Sequence, residues 1–196
     1  MKLVILDRDG TINEGRSDFV SSPEEWVPLP GALEAVARLN HAGFHVAVVS
    51  NQPGLGRGLF DVSALNAMHT KMHKALAAVG GRVDVIFYCP HGPEELCNCR
   101  MPAPGLFEQI SDRYGMSLAG VPVVGDRLRD LQAGAAVGCE PHLVLTGAYH
   151  TGVADPLPPD FPAGTRVHVD LGACAAFLVE RDALAAIPPA APRAGS

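Results

Sequence analysis

The chain has 196 residues, 47% of them hydrophobic, and it carries 15 Lys and Arg against 21 Asp and Glu, which gives a formal net charge of −6. A chain of this length and composition can bury a core as one domain, which excludes intrinsic disorder. Non-specific nucleic-acid binding is disfavoured because it needs an excess of Lys and Arg to neutralise phosphates. No apolar run near the start reaches the length of a signal-peptide core or a membrane helix, so we expect a soluble, cytoplasmic protein.

Short β-branched runs alternate with helical periods along most of the chain. The predicted strands are Lys2–Leu6, Phe44–Val49, Val83–Tyr88, Val121–Val124 and His142–Leu145, and helices are predicted around residues 33–39, 62–79, 105–114 and 127–136. This alternation predicts right-handed crossovers and a mainly parallel sheet with helices on both faces, which is a Rossmann-like three-layer α/β sandwich. We expect one domain over residues 1–187, followed by a flexible tail at 188–196.

Polar side chains suited to metal and phosphate follow three of the predicted strands. In parallel α/β sheets, ligands bind beyond the carboxyl ends of the strands. Mg²⁺ prefers oxygen ligands, and a hydroxyl or an amide holds phosphate without adding negative charge. Each motif alone has a simpler explanation as a turn, a helix cap or an exposed ion pair, but their conjunction at three strand ends favours a functional site. The residues concerned are Asp7, Asp9, Ser50, Asn51, Gln52, Asp126 and Asp130.

Three of the five cysteines lie close together in the sequence, in a loop after the third predicted strand. Cys89, Cys97 and Cys99 accompany His91, and three thiolates with one imidazole are a common tetrahedral ligand set for Zn²⁺. Four protein ligands fill the coordination shell, so we expect this zinc to be structural. The spacing differs from the usual zinc-finger pattern, and the alternative is a set of reactive thiols on a flexible loop.

The motifs after the strands resemble, in order and in spacing, those of the haloacid dehalogenase-like phosphatases, over about residues 1–147. The resemblance implies that Asp7 is the nucleophile that forms an aspartyl phosphate and that Asp9 is the acid and base. It implies that Asp126 binds Mg²⁺ together with Asp7 and the backbone carbonyl of Asp9, and that Asp130 supports this metal site. The residues that it assigns to phosphate or substrate binding are Thr11, Ser50, Asn51, Gln52, Arg57, Arg100 and Arg127.

The cysteine and histidine loop narrows the resemblance. Together with the Gly-rich segment 51–58, it resembles the D-glycero-D-manno-heptose 1,7-bisphosphate 7-phosphatases and the related histidinol-phosphate phosphatases. The chain length favours the first group, which implies removal of the 7-phosphate from a small sugar bisphosphate in the synthesis of lipopolysaccharide or heptose-nucleotide precursors. The alternatives are a histidinol-phosphate phosphatase and a zinc-ordered binding module without catalysis.

One position departs from this pattern. The relatives usually carry Lys directly after the residue that corresponds to Arg100, and this chain has Met101, whose thioether cannot neutralise phosphate. Another cation must therefore take its place. We expect Arg127 to serve the reacting phosphate and Arg100 to serve the far phosphate of the substrate, with Arg57 as a further contact.

The segment between the first motif and the first predicted helix is too short for a separate cap domain. Residues 12–31 span only about 20 positions, so we expect an open site with walls formed by the loops at 13–26, 54–60 and 89–99. The expected partner is a small phosphorylated sugar, without nucleic acid or membrane. No apolar stripe is left unused, which favours a monomer.

Overall fold

The computed structural model describes residues 1–16 and 19–186, and the predicted tail at 188–196 lies outside the described residues. Its centre is a six-stranded, entirely parallel sheet with the strand order β3-β2-β1-β4-β5-β6. The strands are β1 (Lys2–Asp7), β2 (Phe44–Asn51), β3 (Val85–Cys89), β4 (Pro122–Gly125), β5 (Glu140–Val144) and β6 (Arg166–His168). The helices are α1 (Ala32–His41), α2 (Pro53–Gly56), α3 (Val62–Ala78), α4 (Gly105–Tyr114), α5 (Leu128–Ala135) and α6 (Leu171–Ala185).

The central strands are buried on both faces because their side chains alternate between two cores. From β1, Val4 and Leu6 join the core that contains residues of α1, α3 and α6, whereas Leu3 and Ile5 join the core that contains residues of α4 and α5. This alternation follows from the period of two in a β-strand. It explains why β1 is a continuous apolar run instead of an alternating polar and apolar one. The predicted α/β sandwich is confirmed.

The sequence analysis missed three elements: the short helix α2, the edge strand β6 and the last helix α6. Helix α6 had a recognisable signal in the sequence, because its buried residues follow the spacing of one helical stripe. These residues are Leu171, Cys174, Ala175 and Leu178. Strand β6 has only three residues, and two of them are exposed, so its sequence carries no apolar run. The five predicted strands all form, with their ends displaced by one to two residues in most cases.

The order of the strands determines where a ligand can bind. β1 is hydrogen-bonded to β2 on one side and to β4 on the other, so the carboxyl ends of these three strands are adjacent. The chain runs outward from β1 through β2 to β3, and then returns to the other side of β1 to form β4. This change of direction is the point at which open α/β sheets bind ligands.

Loops flank that point. In the described parts of residues 8–31, between β1 and α1, the structure contains no helix or further strand. The site is therefore bordered by connecting loops, as the short spacing predicted. No helix among the described residues combines the length and the hydropathy that a membrane span needs.

Candidate active site

Three carboxylates meet at the carboxyl ends of β1 and β4. Asp7 ends β1, Asp126 follows β4, and Asp130 lies in the first turn of α5. One oxygen from each lies within 4.8 Å of the others, and all three residues are buried. Asp126 Oδ1 and Asp130 Oδ1 have no hydrogen-bond partner among the described residues. The arrangement therefore offers a compact set of hard oxygen donors with free lone pairs, which is the donor type that Mg²⁺ prefers.

The electrostatics of this cluster fit a divalent cation. Burial, followed by repulsion from Asp130, Asp126 and Asp9, raises the pKa of Asp7 well above its ordinary value. Burial raises the pKa of Asp126, and burial together with the charge of Asp126 raises the pKa of Asp130 to about 7. Three ionised carboxylates in this space repel one another, and a bound cation would reverse the balance. The residues present therefore suit a Mg²⁺ site.

Backbone groups and glycines fix the orientation of the two carboxylates beyond β4. Asp126 Oδ2 accepts a hydrogen bond from the Ala148 N–H at 2.8 Å, and Asp130 Oδ2 accepts one from the Arg127 N–H at 3.0 Å. Gly10 has φ +92° and lies so close that a Cβ there would stand 2.5 Å from Asp126 Cγ. A glycine at this turn is thus required both by the backbone conformation and by the space that Asp126 occupies.

Asp9 is held by donors from several parts of the chain. The fully buried Arg8 donates to both of its carboxylate oxygens, from Nη2 at 2.9 and 3.0 Å. Asn13 Nδ2 donates to Asp9 Oδ1 at 2.8 Å, and Gln52 Nε2 donates both to Asp9 Oδ2 at 2.9 Å and to Ser50 Oγ at 2.7 Å. Gln52 therefore links the residue predicted to be the acid and base to the residue predicted to hold the phosphoryl oxygens. Sequence reasoning missed Arg8 and Asn13.

A cavity of about 210 Å³ opens in front of Asp7 and Asp9. Five arginines line it, so its walls are strongly positive although the whole chain is acidic. The predicted site residues in its lining are Asp7, Asp9, Ser50, Asn51, Gln52, Arg57, Arg100 and Arg127, and the unpredicted arginines are Arg16 and Arg129. Thr11 is fully buried and lies outside this lining, so the structure gives no support to its predicted contact with phosphate.

Asn51 and Met101 are bound to each other across the loops. Asn51 Nδ2 donates to the Met101 carbonyl at 3.0 Å, and Asn51 Oδ1 accepts from the Met101 N–H at 3.0 Å. Because both ends of the amide are used, the geometry favours a positioning role for Asn51 over the predicted contact with phosphate. The Met101 side chain is 1% exposed and lies in the core, so this position contributes no polar group to the cavity.

The four predicted zinc ligands come together at the end of β3. The sulfur atoms of Cys89 and Cys97 are 3.8 Å apart, and Cys89 Sγ lies 3.5 Å from His91 Nδ1. A tetrahedral zinc site needs separations of about 3.8 Å between sulfurs and about 3.5 Å between sulfur and nitrogen. Cys99 Sγ is nearer, at 3.1 Å from Cys89 Sγ and 3.3 Å from His91 Nδ1. Three thiols and one imidazole at these distances suit Zn²⁺.

The zinc-type loop, residues 89–99, is attached to the cavity wall by hydrogen bonds. The Gln52 N–H donates to the Cys89 carbonyl at 2.7 Å, and the Gly56 N–H donates to the Pro90 carbonyl at 3.0 Å. Arg100 Nη1 donates to the His91 carbonyl at 3.3 Å. Ordering this loop therefore also positions Arg100 and the backbone beside Arg57.

Two family models match parts of the chain. One, described as polynucleotide kinase 3 phosphatase, matches residues 2–129, and the other, described as HAD-hydrolase-like, matches residues 98–168. Among curated proteins, the D-glycero-beta-D-manno-heptose-1,7-bisphosphate 7-phosphatase of Bordetella bronchiseptica is 54% identical over 92% of this chain and 99% of its own length. The protein of the same name from Pseudomonas aeruginosa is 46% identical over 91% of this chain and 98% of its own length.

Two solved structures are similar over nearly the whole chain. The D,D-heptose 1,7-bisphosphate phosphatase from B. bronchiseptica, complexed with magnesium and phosphate, has a TM-score of 0.88 at 54% identity, covering 92% of this chain and 99% of its own. The D,D-heptose 1,7-bisphosphate phosphatase from Burkholderia thailandensis has a TM-score of 0.71 at 52% identity, covering 91% and 99%.

Proposed function

Because this chain belongs to the HAD-like phosphatases, and among them to the D-glycero-beta-D-manno-heptose-1,7-bisphosphate 7-phosphatase family, we propose that it removes the 7-phosphate of that heptose bisphosphate. Phosphatases of this kind are phosphoric monoester hydrolases. The observation that carries the proposal is the cluster of Asp7, Asp126 and Asp130, of which Asp7 lines a cavity together with five arginines. A small substrate with two phosphate groups matches such a cavity in charge.

The reaction has two steps in which the chain's own residues exchange a phosphoryl group and a proton. A carboxylate oxygen of Asp7 forms a bond to phosphorus while the bond from phosphorus to the sugar oxygen breaks, and Asp9 gives its proton to that oxygen. Asp9 then takes a proton from a water molecule, whose oxygen attacks the aspartyl phosphate and releases inorganic phosphate. Ser50 Oγ donates a hydrogen bond to the phosphoryl oxygens.

Positive charge is needed before a carboxylate can approach a phosphate dianion. Mg²⁺ bound by Asp7, Asp126 and the Asp9 carbonyl, with Asp130 in support, would supply part of this charge and reduce the repulsion. The arginines of the cavity supply the rest. Arg57 pairs with Glu94 at 3.5 Å and lines the cavity, so it suits a contact with the distal phosphate.

In this proposal the zinc-type loop has a structural role and takes no part in the chemistry. With Cys89, His91, Cys97 and Cys99 as four ligands, Zn²⁺ has no open position for substrate or water. The bound ion would order a loop in which the Leu96 side chain is fully exposed and adds nothing to a core.

The match to the polynucleotide kinase 3 phosphatase model raises a second substrate class, the 3′-phosphate ends of nucleic acids. The net charge of −6 disfavours it, because a nucleic-acid strand needs a positive surface that extends well beyond one phosphate. Histidinol phosphate is a further alternative because of the shared zinc-type loop.

A turnover panel with Mg²⁺ tests the proposal. It compares the heptose 1,7-bisphosphate with its monophosphates, histidinol phosphate and a 3′-phosphorylated oligonucleotide. We expect the bisphosphate to have the highest kcat/KM by about tenfold or more. Asp7→Asn should abolish turnover, whereas Asp112→Asn, a matched change on the exposed face of α4, should leave it intact. Arg57→Ala should raise KM for the bisphosphate more than for simple monoesters.

A higher kcat/KM for histidinol phosphate or for the oligonucleotide would overturn the proposed substrate but not the proposed mechanism. Phosphate release by Asp7→Asn at the unmodified rate would remove the mechanism.

A further inference from the structure

Arg129 is a cavity-lining cation in the first turn of α5, directly before Asp130. Its Nε lies 3.6 Å from Asp130 Oδ1, beyond hydrogen-bond distance, and this buried N–H group has no hydrogen-bond partner among the described residues. A buried donor of this kind is normally satisfied. Because Arg129 lines the cavity that contains Asp7, its guanidinium offers hydrogen-bond donors to an oxyanion bound there.

The charges around Arg129 also favour a bound anion at this position. Burial and neighbouring carboxylates raise the pKa of Asp7, and Arg129 is a positive charge that acts against this rise. Burial, followed by repulsion from Arg129, lowers the pKa of Arg100. Arg129 is therefore close enough to act on both the proposed nucleophile and a second guanidinium. Two guanidinium groups that repel each other at one cavity are stabilised when an anion binds between them.

The position of Arg129 in the chain is unfavourable for the isolated helix. A helix N-terminus carries partial positive charge, so a cation in the first turn of α5 adds like charge. Departures from such local rules concentrate at functional sites. Here the helix end and the guanidinium together strengthen the positive potential at the cavity.

The neighbouring candidates are engaged in other ways. Met101 is buried in the core and offers no charge. Arg127 Nε lies 3.7 Å from Asp126 Oδ2, and its side chain lines both the first cavity and a second one of about 410 Å³ that contains His150. Sequence reasoning assigned Arg127 to the reacting phosphate and gave Arg129 no functional role, with exposed ion pairs as the simpler explanation for both arginines.

We propose that Arg129 binds the phosphoryl group that Asp7 accepts, and that it thereby supplies the positive charge that Met101 does not. The inference rests on the proposed phosphatase function. The planar fork of the guanidinium donates two hydrogen bonds to phosphoryl oxygens, which an ammonium group does not reproduce. Arg100, which the sequence analysis assigned to the far phosphate, is in this proposal a second donor to the same anion.

Substitution of Arg129 tests this role with two independent readouts. Arg129→Gln should lower kcat/KM for phosphate release about 10²- to 10³-fold, and Arg129→Lys about tenfold because it keeps the charge and loses the fork. In calorimetric titrations with inorganic phosphate in the presence of Mg²⁺, Arg129→Gln should bind at least about tenfold more weakly than the unmodified protein. Arg113→Gln removes an exposed arginine of α4 and should change neither quantity. Thermal unfolding verifies that each variant is folded.

An Arg129→Gln variant that stays within about threefold of the unmodified protein in both kcat/KM and phosphate affinity would overturn the proposal. If Arg129→Gln does not fold, the expected tenfold loss in Arg129→Lys carries the test, and unchanged kcat/KM in that variant contradicts the role. If the unmodified protein releases phosphate from no ester, the proposed function fails. The phosphate titrations still decide whether Arg129 binds the anion.

Discussion

Asp7, Asp126 and Asp130 place three negative charges in one buried space, and this has a consequence for stability in the absence of metal. Their pKa values are raised in the folded protein, that of Asp130 to about 7, so the folded state binds more protons than the unfolded state between about pH 4 and pH 7. The carboxylates therefore favour folding at low pH, and this contribution is lost as the pH rises through their folded-state pKa values.

Replacing one of these carboxylates with its amide should relieve the repulsion. We expect Asp126→Asn to raise the free energy of unfolding of the metal-free protein at pH 8 by on the order of 2 kcal/mol, while turnover is lost. The gain should shrink at pH 5, where the cluster holds protons. Mg²⁺ should raise the melting temperature of the unmodified protein and have little effect on the variant.

Denaturant unfolding at both pH values, with and without Mg²⁺, measures these differences. Asp112→Asn, at an exposed position, serves as the control. It should neither gain stability at pH 8 nor lose the stabilisation by Mg²⁺. A metal-free Asp126→Asn protein that is less stable than the unmodified one at pH 8 would contradict the electrostatic account.

Sequence reasoning identified the residues at the strand ends but not the residues that orient them. Asp7 and Asp126 could be predicted because each follows an apolar run, and parallel strands bring such positions to one edge. The role of Arg8 could not be predicted, because it depends on Asp9 and on His69, which is 61 residues away in the chain. His69 Nε2 lies 3.3 Å from Arg8 Nη1. Asn51 has the residue type of a phosphate ligand, but its partner Met101 becomes visible only in the folded chain.

The zinc-type loop depends on the proposed metal as well as on packing. Burial raises the pKa of the Cys89 thiol to about 12, so a thiolate there needs a cation beside it. Residues 93–96 are exposed, so the loop is held against the cavity wall by the packing of its cysteines, by hydrogen bonds and by the proposed metal. Loss of the metal should therefore displace Arg100 and the segment at 52–56 before it affects the sheet.

Removing the zinc ligands should weaken substrate binding more than it slows chemistry. We expect Cys97→Ser to raise KM for the bisphosphate by about tenfold or more, with a smaller fall in kcat, because Asp7 and Asp126 lie on other elements. The loop should also become sensitive to limited proteolysis. Steady-state kinetics and zinc content measured on the same sample provide the test.

Cys139→Ser is the matched control, since Cys139 is a buried cysteine outside the loop and its replacement should leave zinc content and KM unchanged. Full zinc content in Cys97→Ser, or a KM equal to that of the unmodified protein, would argue against this role for the loop.

The edge formed by β5, β6 and α6 contains a second titrating feature. His142 is fully buried on β5, and its Nδ1 lies 2.9 Å from His168 Nε2 on β6. Burial lowers the pKa of His142 to about 4 against the opposing charge of Glu140, so the imidazole is neutral in the folded protein at pH 6.5. Between pH 6.5 and pH 4 the unfolded state binds more protons, and folding stability falls as the pH falls.

We expect His142→Gln to flatten this acid-dependent loss by on the order of 2 kcal/mol between pH 6.5 and pH 4.5. The carboxylate cluster changes folding stability with pH in the opposite direction. The quantity to compare is therefore the difference in the free energy of unfolding between variant and parent at each pH. His41→Gln, on the last turn of α1, is the control. Parallel stability curves for His142→Gln and the parent would show that the buried histidine does not cause the loss.

Charge is distributed unevenly over the molecule. The chain is acidic overall, yet five arginines converge on one cavity of about 210 Å³. Salt screens the distant negative charges over about 8 Å at physiological ionic strength, so the local field at the cavity decides which ligand binds. This distribution suits a small, highly charged anion and does not suit a long polyanion, which would also meet the acidic surface.

The architecture was largely predictable because strands buried on both faces and amphipathic helices leave strong periodic signals. β6 escaped because a short, exposed edge strand has no such signal, whereas the apolar stripe of α6 was present in the sequence and was overlooked. The arginine cavity also escaped in part, since Arg16, Arg57, Arg100 and Arg129 come from separate loops and from one helix. Their convergence is a property of the folded chain alone.

The proposed mechanism requires that acidic side chains at the ends of β1 and β4 share one divalent ion beside the arginine cavity. A crystal grown with Mn²⁺ in place of Mg²⁺ tests it through the anomalous signal of the metal. We expect one peak, about 2.2 Å from an oxygen of Asp7 and from an oxygen of Asp126, with Asp130 adjacent. A manganese peak that touches only one of these two carboxylates, or a site elsewhere with this cluster left without metal, would contradict it.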